Sequence, residues 1–211
     1  MNRIQALGMF AVTLAMVASA CSPLPDRAGP EAVAQPTECA LLQGGGQQDV
    51  DPEDTPEKPW PHEDGVGVTV YFETTGLSGR YERLVQEATS IWSASPCIEA
   101  VAIEECTDGV NCVSVKEKPS SKDRGTDGEF SGRDGGESRS GGTITLYTKP
   151  LDRSSDNGAL ATVVHEIGHA LGLVHRLSRD SVMNKETSDK TDVVPDAIDF
   201  NNLAVIYGRL P

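Results

Sequence analysis

The densest chemistry in this 211-residue chain lies in Val164-His165-Glu166-Ile167-Gly168-His169-Ala170-Leu171-Gly172-Leu173-Val174-His175. His165 and His169 stand four apart, so on a helix their imidazoles project from one face, a turn apart. Two neutral imidazole nitrogens spaced this way reach one Zn2+ at about 2.0–2.1 Å. Glu166, beside the first histidine, is angled toward the open position of such a metal, where a carboxylate serves as general base. Gly172 ends the helix because glycine takes the positive φ that reverses the chain, and the reversal returns His175 as a third ligand. Three protein nitrogens leave one position for water, as catalytic zinc requires, whereas a structural zinc is usually closed by four ligands, often Cys. Three of the four histidines of the chain fall in this window, and chance assembly of the pattern is of order one in a hundred thousand. The fourth, His62, reads as a solvated residue without a role.

These side chains need a helix to carry them, and Ala159–Leu171 supplies it, with Asp156 and Asn157 as caps. Upstream, Val66–Phe72 is rich in β-formers. Tyr81, Leu84, Val85, Ala88, Ile91 and Trp92 recur at helical spacing between Ser78 and Ser93. Cys97–Glu104 and Asn111–Val115 read as two strands joined as a hairpin through Asp108-Gly109. Residues 117–142 are Gly, Ser and charge around a lone Phe130, a long structureless insertion. Thr143–Thr148 alternates as a short strand, and a last helix runs from Pro195 to Tyr207, closed by Gly208. The expected fold class is α+β, one domain over residues 65–211.

A net charge of -14 argues against nucleic acid and against an electrostatic grip on anionic lipid. Residues 1–20 have the form of an export signal: Arg3, an apolar run from Ile4 to Val17, then Ala18-Ser19-Ala20. The run is short for a membrane span. Cys21 follows directly, and Ala18-Ser19-Ala20-Cys21 is similar to a bacterial lipobox, which implies a lipid-anchored N-terminus on the outer face of the cell membrane; plain secretion is the alternative. Residues 21–64 hold eight of the thirteen prolines and the Gly44-Gly45-Gly46 run, a composition expected of a spacer. Cys39, Cys97, Cys106 and Cys112 remain for two disulfides outside the cytosol. Flanking a turn pairs Cys106 with Cys112, leaving Cys39 for Cys97, although four cysteines allow three connectivities.

H-E-x-x-H-x-x-G-x-x-H is the metzincin zinc motif, and every fixed position is matched here. Metzincins follow it with a tight turn carrying a methionine beneath the metal, and Ser181-Val182-Met183-Asn184 stands in that place. The stretch through Leu173, the Met183 turn, and Asp199 followed by Ile206-Tyr207-Gly208 resemble matrixins. Size and layout are also similar to snapalysin, a small bacterial relative that has Asp where this chain has His175. The resemblance implies a mixed twisted sheet, an active-site helix, a Met-turn and a C-terminal helix. It also implies a monomeric endopeptidase acting on protein or peptide substrates, with one catalytic Zn2+ held by His165, His169 and His175.

In such a domain Thr143–Thr148 is expected as the edge strand pairing with substrate, which makes Ile144, Leu146 and Tyr147 substrate-binding candidates, and Lys185–Val194 lines the pocket beyond the cut bond. Lys185 replaces the tyrosine that serves as a fifth ligand in astacins and serralysins. The absence of histidine from 117–142 removes the second matrixin zinc. Asp123, Asp127, Glu129, Asp134 and Glu137 are the candidates for Ca2+. The matrixin propeptide motif with its metal-blocking thiol does not appear; Cys39, the one cysteine ahead of the domain placed to mimic it, reads as a disulfide partner. Two other readings stand beside the endopeptidase: a non-catalytic zinc-binding or adhesion module, which has no need of Glu166, and a hydrolase of cell-wall peptides.

Overall fold

The computed structural model describes residues 38–40, 46–123 and 125–209. The expected export segment 1–20, the expected anchor at Cys21 and residues 22–37 and 41–45 of the expected spacer lie outside the described residues. Strand β1, Val68–Glu73, buries Val68, Val70 and Phe72 while Thr69, Tyr71 and Glu73 stay partly exposed, the period-two pattern of a sheet covered on one face. Helix α1, Gly79–Trp92, buries Tyr81, Leu84, Val85, Ala88, Thr89 and Trp92, a stripe at 3.6 spacing. Strands β2, Ile98–Ile103, and β3, Cys112–Lys118, follow, then β4, Gly128–Gly135, and β5, Ser138–Tyr147. A helical turn α2, Thr148–Leu151, leads to α3, Asp156–Ala170, and α4, Ala197–Tyr207, ends the order.

The five strands lie in the order β2-β1-β3-β5-β4, all parallel except β4. Helix α1 packs on β2, α3 packs on β4 and β5, and the two helices pack on each other. The core fills the space between helices and sheet. The α+β expectation holds.

Several expectations are corrected. β2 and β3 do not form a hairpin; each pairs in parallel with β1, which lies between them. Parallel neighbours ordinarily need a long crossover. Here β3 is shifted along the strand axis and meets β1 only through Tyr71–Glu73, so the connection from Glu104 to Asn111 suffices. Cys106 in that connection is bonded to Cys112 at the start of β3, and Cys39 is bonded to Cys97.

Residues 117–142 are not a structureless insertion, because β4 and the start of β5 form an antiparallel hairpin turning at Gly136, φ 87°. The strand was hidden because β4 is mostly exposed and owes its order to backbone pairing rather than to apolar alternation. This hairpin also moves the edge of the sheet. β5 is hydrogen-bonded to β3 on one side and β4 on the other, so it has no free edge to offer a peptide. Ile144 and Leu146 are buried in the core and Tyr147 is nearly so, and they are withdrawn as substrate-binding residues.

Residues 46–64 are not a free spacer either. Trp60 is buried, its indole N–H donating to the Ala170 carbonyl at 2.7 Å. Gln48 and Asn202 exchange two hydrogen bonds of 2.8 and 3.1 Å, and Gly65 N–H meets the Tyr207 carbonyl at 3.1 Å. His62 is sheltered as well, edge-on to the Tyr207 ring at 4.9 Å with a nitrogen 2.8 Å from the Trp60 carbonyl oxygen. Among the described residues no helix is long and apolar enough to cross a membrane.

Candidate metal centre

Helix α3 carries His165, Glu166 and His169, and its ends are made by side chains and turns near the site. Its N-cap is Ser155, whose hydroxyl accepts from Gly158 N–H at 3.1 Å, rather than the Asp156-Asn157 pair. At the other end Leu173 N–H donates to the Gly168 carbonyl and Gly172 N–H to that of His169, both at 3.0 Å, with Gly172 at φ 105°. This is the Schellman pattern that glycine permits. Three aromatic donors reach carbonyls of the helix and its C-cap: Trp92 to Val164, Trp60 to Ala170 and Tyr207 to Leu171, at 2.7–2.8 Å. A helix buried along nearly its whole length gains fixed position from them.

The three imidazoles converge. His169 Nε2 lies 3.0 Å from His165 Nε2 and 3.3 Å from His175 Nε2. Two nitrogens each 2.0–2.1 Å from a tetrahedral ion stand about 3.3–3.4 Å apart, so the donor set fits zinc. The opposite nitrogens are all engaged: Nδ1 of His165 with the Val182 carbonyl, of His169 with the Leu173 carbonyl and of His175 with the Asp54 carboxylate, each at 2.8 Å. Each Nδ1 is thereby a donor, and each Nε2 presents its lone pair inward. Burial, and then the neighbouring imidazoles, hold His165 well below the usual histidine range and His169 at about 4, so both rings are neutral and ready to ligate. Among the described residues no other group of three or more His, Cys, Asp or Glu side chains converges in this way. The calcium candidates Asp123, Asp127, Glu129, Asp134 and Glu137 form no such group among the described residues. Glu129 and Asp134 sit five positions apart on the extended β4, with Glu129 taken by the Tyr147 hydroxyl and Asp134 by Lys58.

Glu166 is buried beside the triad in the wall of a cleft of about 770 Å³. Burial raises its carboxyl to about 8, against the pull of the Phe130 backbone N–H. Gly128 of β4 makes this proximity possible, since a Cβ there would stand 2.8 Å from Glu166 Cγ and 2.9 Å from Thr162 Cγ2. Lys185, Glu186 and Thr187 line the same cleft, and Ser188, Lys190, Thr191 and Asp192 face an adjoining hollow of about 590 Å³. The Met183 turn is closed by Asn184 N–H on the Ser181 carbonyl at 3.0 Å, and Met183 is fully buried under the helix. A Cβ on Gly168 would come within about 3 Å of Met183 and Trp92, so glycine is the residue that lets the turn approach.

Sequence reasoning missed Asp54, Gly128, Gly168 and Trp60. Only Gly168 left a signal, since a glycine inside a helix usually has a packing reason.

A helix-borne histidine pair, a third histidine beyond a glycine turn and a methionine turn beneath them define a zinc metallopeptidase-type centre. The matrixin family model, Peptidase_M10, matches residues 80–208, and the chain belongs to that family. No curated protein matches the chain.

Proposed function

We propose that the protein is a zinc endopeptidase that hydrolyses protein or peptide substrates with Glu166 as general base. The observation carrying this reading is a buried carboxylate set beside three inward-facing Nε2 atoms without being one of them. His165, His169 and His175 would hold the zinc, which when bound would supply Lewis acidity toward the scissile carbonyl and the attacking water. Glu166 takes the proton of the attacking water and passes it to the leaving amine as the C–N bond breaks. Its site favours uptake of that proton, because burial penalises the carboxylate form. The outer edge of β4 is unpaired within the sheet, and its Gly128–Phe130 stretch lines the cleft. An extended peptide adds there as a further strand.

Glu166→Gln retains zinc and loses at least 10²-fold in hydrolysis of a fluorogenic peptide, the usual scale for a positioned base. Metal content and rate measured on one preparation decide this, and full hydrolysis by the variant overturns the mechanism.

We also propose export with lipid on Cys21, supported by the signal-like residues 1–20 and the lipobox-like Ala18–Cys21. Mass spectrometry of the mature N-terminus tests it; an unmodified Cys21 leaves secretion as the route.

A further inference from the structure

His175 differs from the other two histidines in how it is held. His165 and His169 ride on α3, whereas His175 stands outside any helix or strand, beyond the Gly172 reversal. The fixation comes from a segment more than a hundred residues earlier. One carboxylate oxygen, Asp54 Oδ2, accepts both the backbone N–H of His175 and its imidazole Nδ1–H, each at 2.8 Å. The backbone there is fixed on the same side: Asp51 N–H donates to the His175 carbonyl at 2.8 Å, and Val50 forms an antiparallel bridge with Arg176. Leu177 N–H donates to the Asp49 carbonyl at 2.9 Å, and the Asp49 carboxylate takes the Arg176 guanidinium at 3.1 Å. Residues 49–54 thus make the floor on which the third histidine rests, and Asp54 lies in the cleft wall.

We propose that Asp54 is the positioning residue of the third metal ligand, orienting His175 and fixing the tautomer that leaves its Nε2 free, so that the catalytic unit begins near residue 49. The inference rests on the zinc reading above. Asp54 lies outside the stretch 80–208 matched by the family model. The chemistry is specific: a carboxylate on Nδ1–H fixes the tautomer with Nε2 free, and loss of such a partner typically costs 10–100-fold in metal affinity.

The test uses the full chain loaded with Zn2+ alone. Competition with a chelator of known affinity should give Asp54→Asn and Asp54→Ala zinc dissociation constants about 10–100-fold weaker than the native protein. Proton NMR of the native zinc-loaded protein should place the Nδ1–H of His175 furthest downfield of the three, since its acceptor alone is charged. In Asp54→Asn that resonance alone should move upfield, with those of His165 and His169 unchanged as the sign of an intact helix. The native-protein measurement needs no variant to fold. Native protein that takes up no zinc sinks the metal reading itself. Native protein that binds zinc, with Asp54 variants of equal affinity or a His175 Nδ1–H no further downfield than the others, overturns the role of Asp54 while leaving that reading standing.

Discussion

At the scale of the single residue, Glu166 is held in two conflicting demands. The proposed mechanism needs it as a base, yet its site is dry enough to raise its carboxyl from 4.5 to about 8. A folded-state value above the unfolded one means that stability from the protonated carboxyl is fully present below about 4.5 and lost as pH rises through about 8. Glu166→Gln keeps the shape and removes the titration. In metal-free protein the variant should therefore match the native chain near pH 4.5 and exceed it by on the order of 2–4 kcal/mol at pH 8. Urea unfolding of both proteins across that range measures the difference, and parallel stability curves would show that the carboxylate is solvated in the folded state.

At the scale of elements, what joins the α3–α4 loop to its surroundings is Arg176. It is buried and reaches Asp199 at 2.9 Å, Asp196 at 2.7 Å and Asp49 at 3.1 Å, tying α4, its N-cap and the N-terminal segment to the loop that carries His175. Asp196 and Asp199 also cap α4 reciprocally, which starts the helix at Ala197 and leaves Pro195 outside it, contrary to the expected start. Asp199 is fully buried, and burial pushes its carboxyl up against the pull of Arg176. Arg176→Met strands that carboxylate and should cost about 3–5 kcal/mol at neutral pH. The loss should shrink in acid, where Asp199 is neutral, and adding Asp199→Asn should recover part of it. Denaturant midpoints of the metal-free single and double variants test this; equal midpoints for native and Arg176→Met would show that the pair contributes nothing net.

At the scale of the whole molecule, two disulfides act over very different lengths. Cys39–Cys97 spans 58 residues and Cys106–Cys112 spans 6. The chain-entropy relation assigns about 4 kcal/mol to the first and about 2 kcal/mol to the second. Cys39→Ser/Cys97→Ser should therefore unfold at a clearly lower denaturant concentration than Cys106→Ser/Cys112→Ser. The reverse order would place the stabilisation in local strain relief rather than in loop closure. The longer bridge also holds the start of the N-terminal segment against β2, so Cys39 is a bonded cysteine and not a thiol poised over the metal site.

The convergence of His165, His169 and His175 was legible in the residues themselves, because helical period and a glycine stop are local: four residues make one turn, and Gly172 reverses the chain where Cβ would obstruct it. The stripe of α1 and the buried alternation of β1 were legible for the same reason. The pairing of Cys106 with Cys112 was read correctly from their nearness, although the hairpin invoked for it does not exist. Sheet order was not legible, since β4 carries almost no apolar alternation and announces itself only by hydrogen bonds to β5. Nor was the role of residues 46–64. Their proline-rich composition describes a chain that cannot build a core alone, and it is silent on whether another part of the protein supplies one. Trp60 and Asp54 find their partners 110 and 121 residues away, contacts that leave no periodicity in the sequence and exist only once the helix and its turn are in place to receive them.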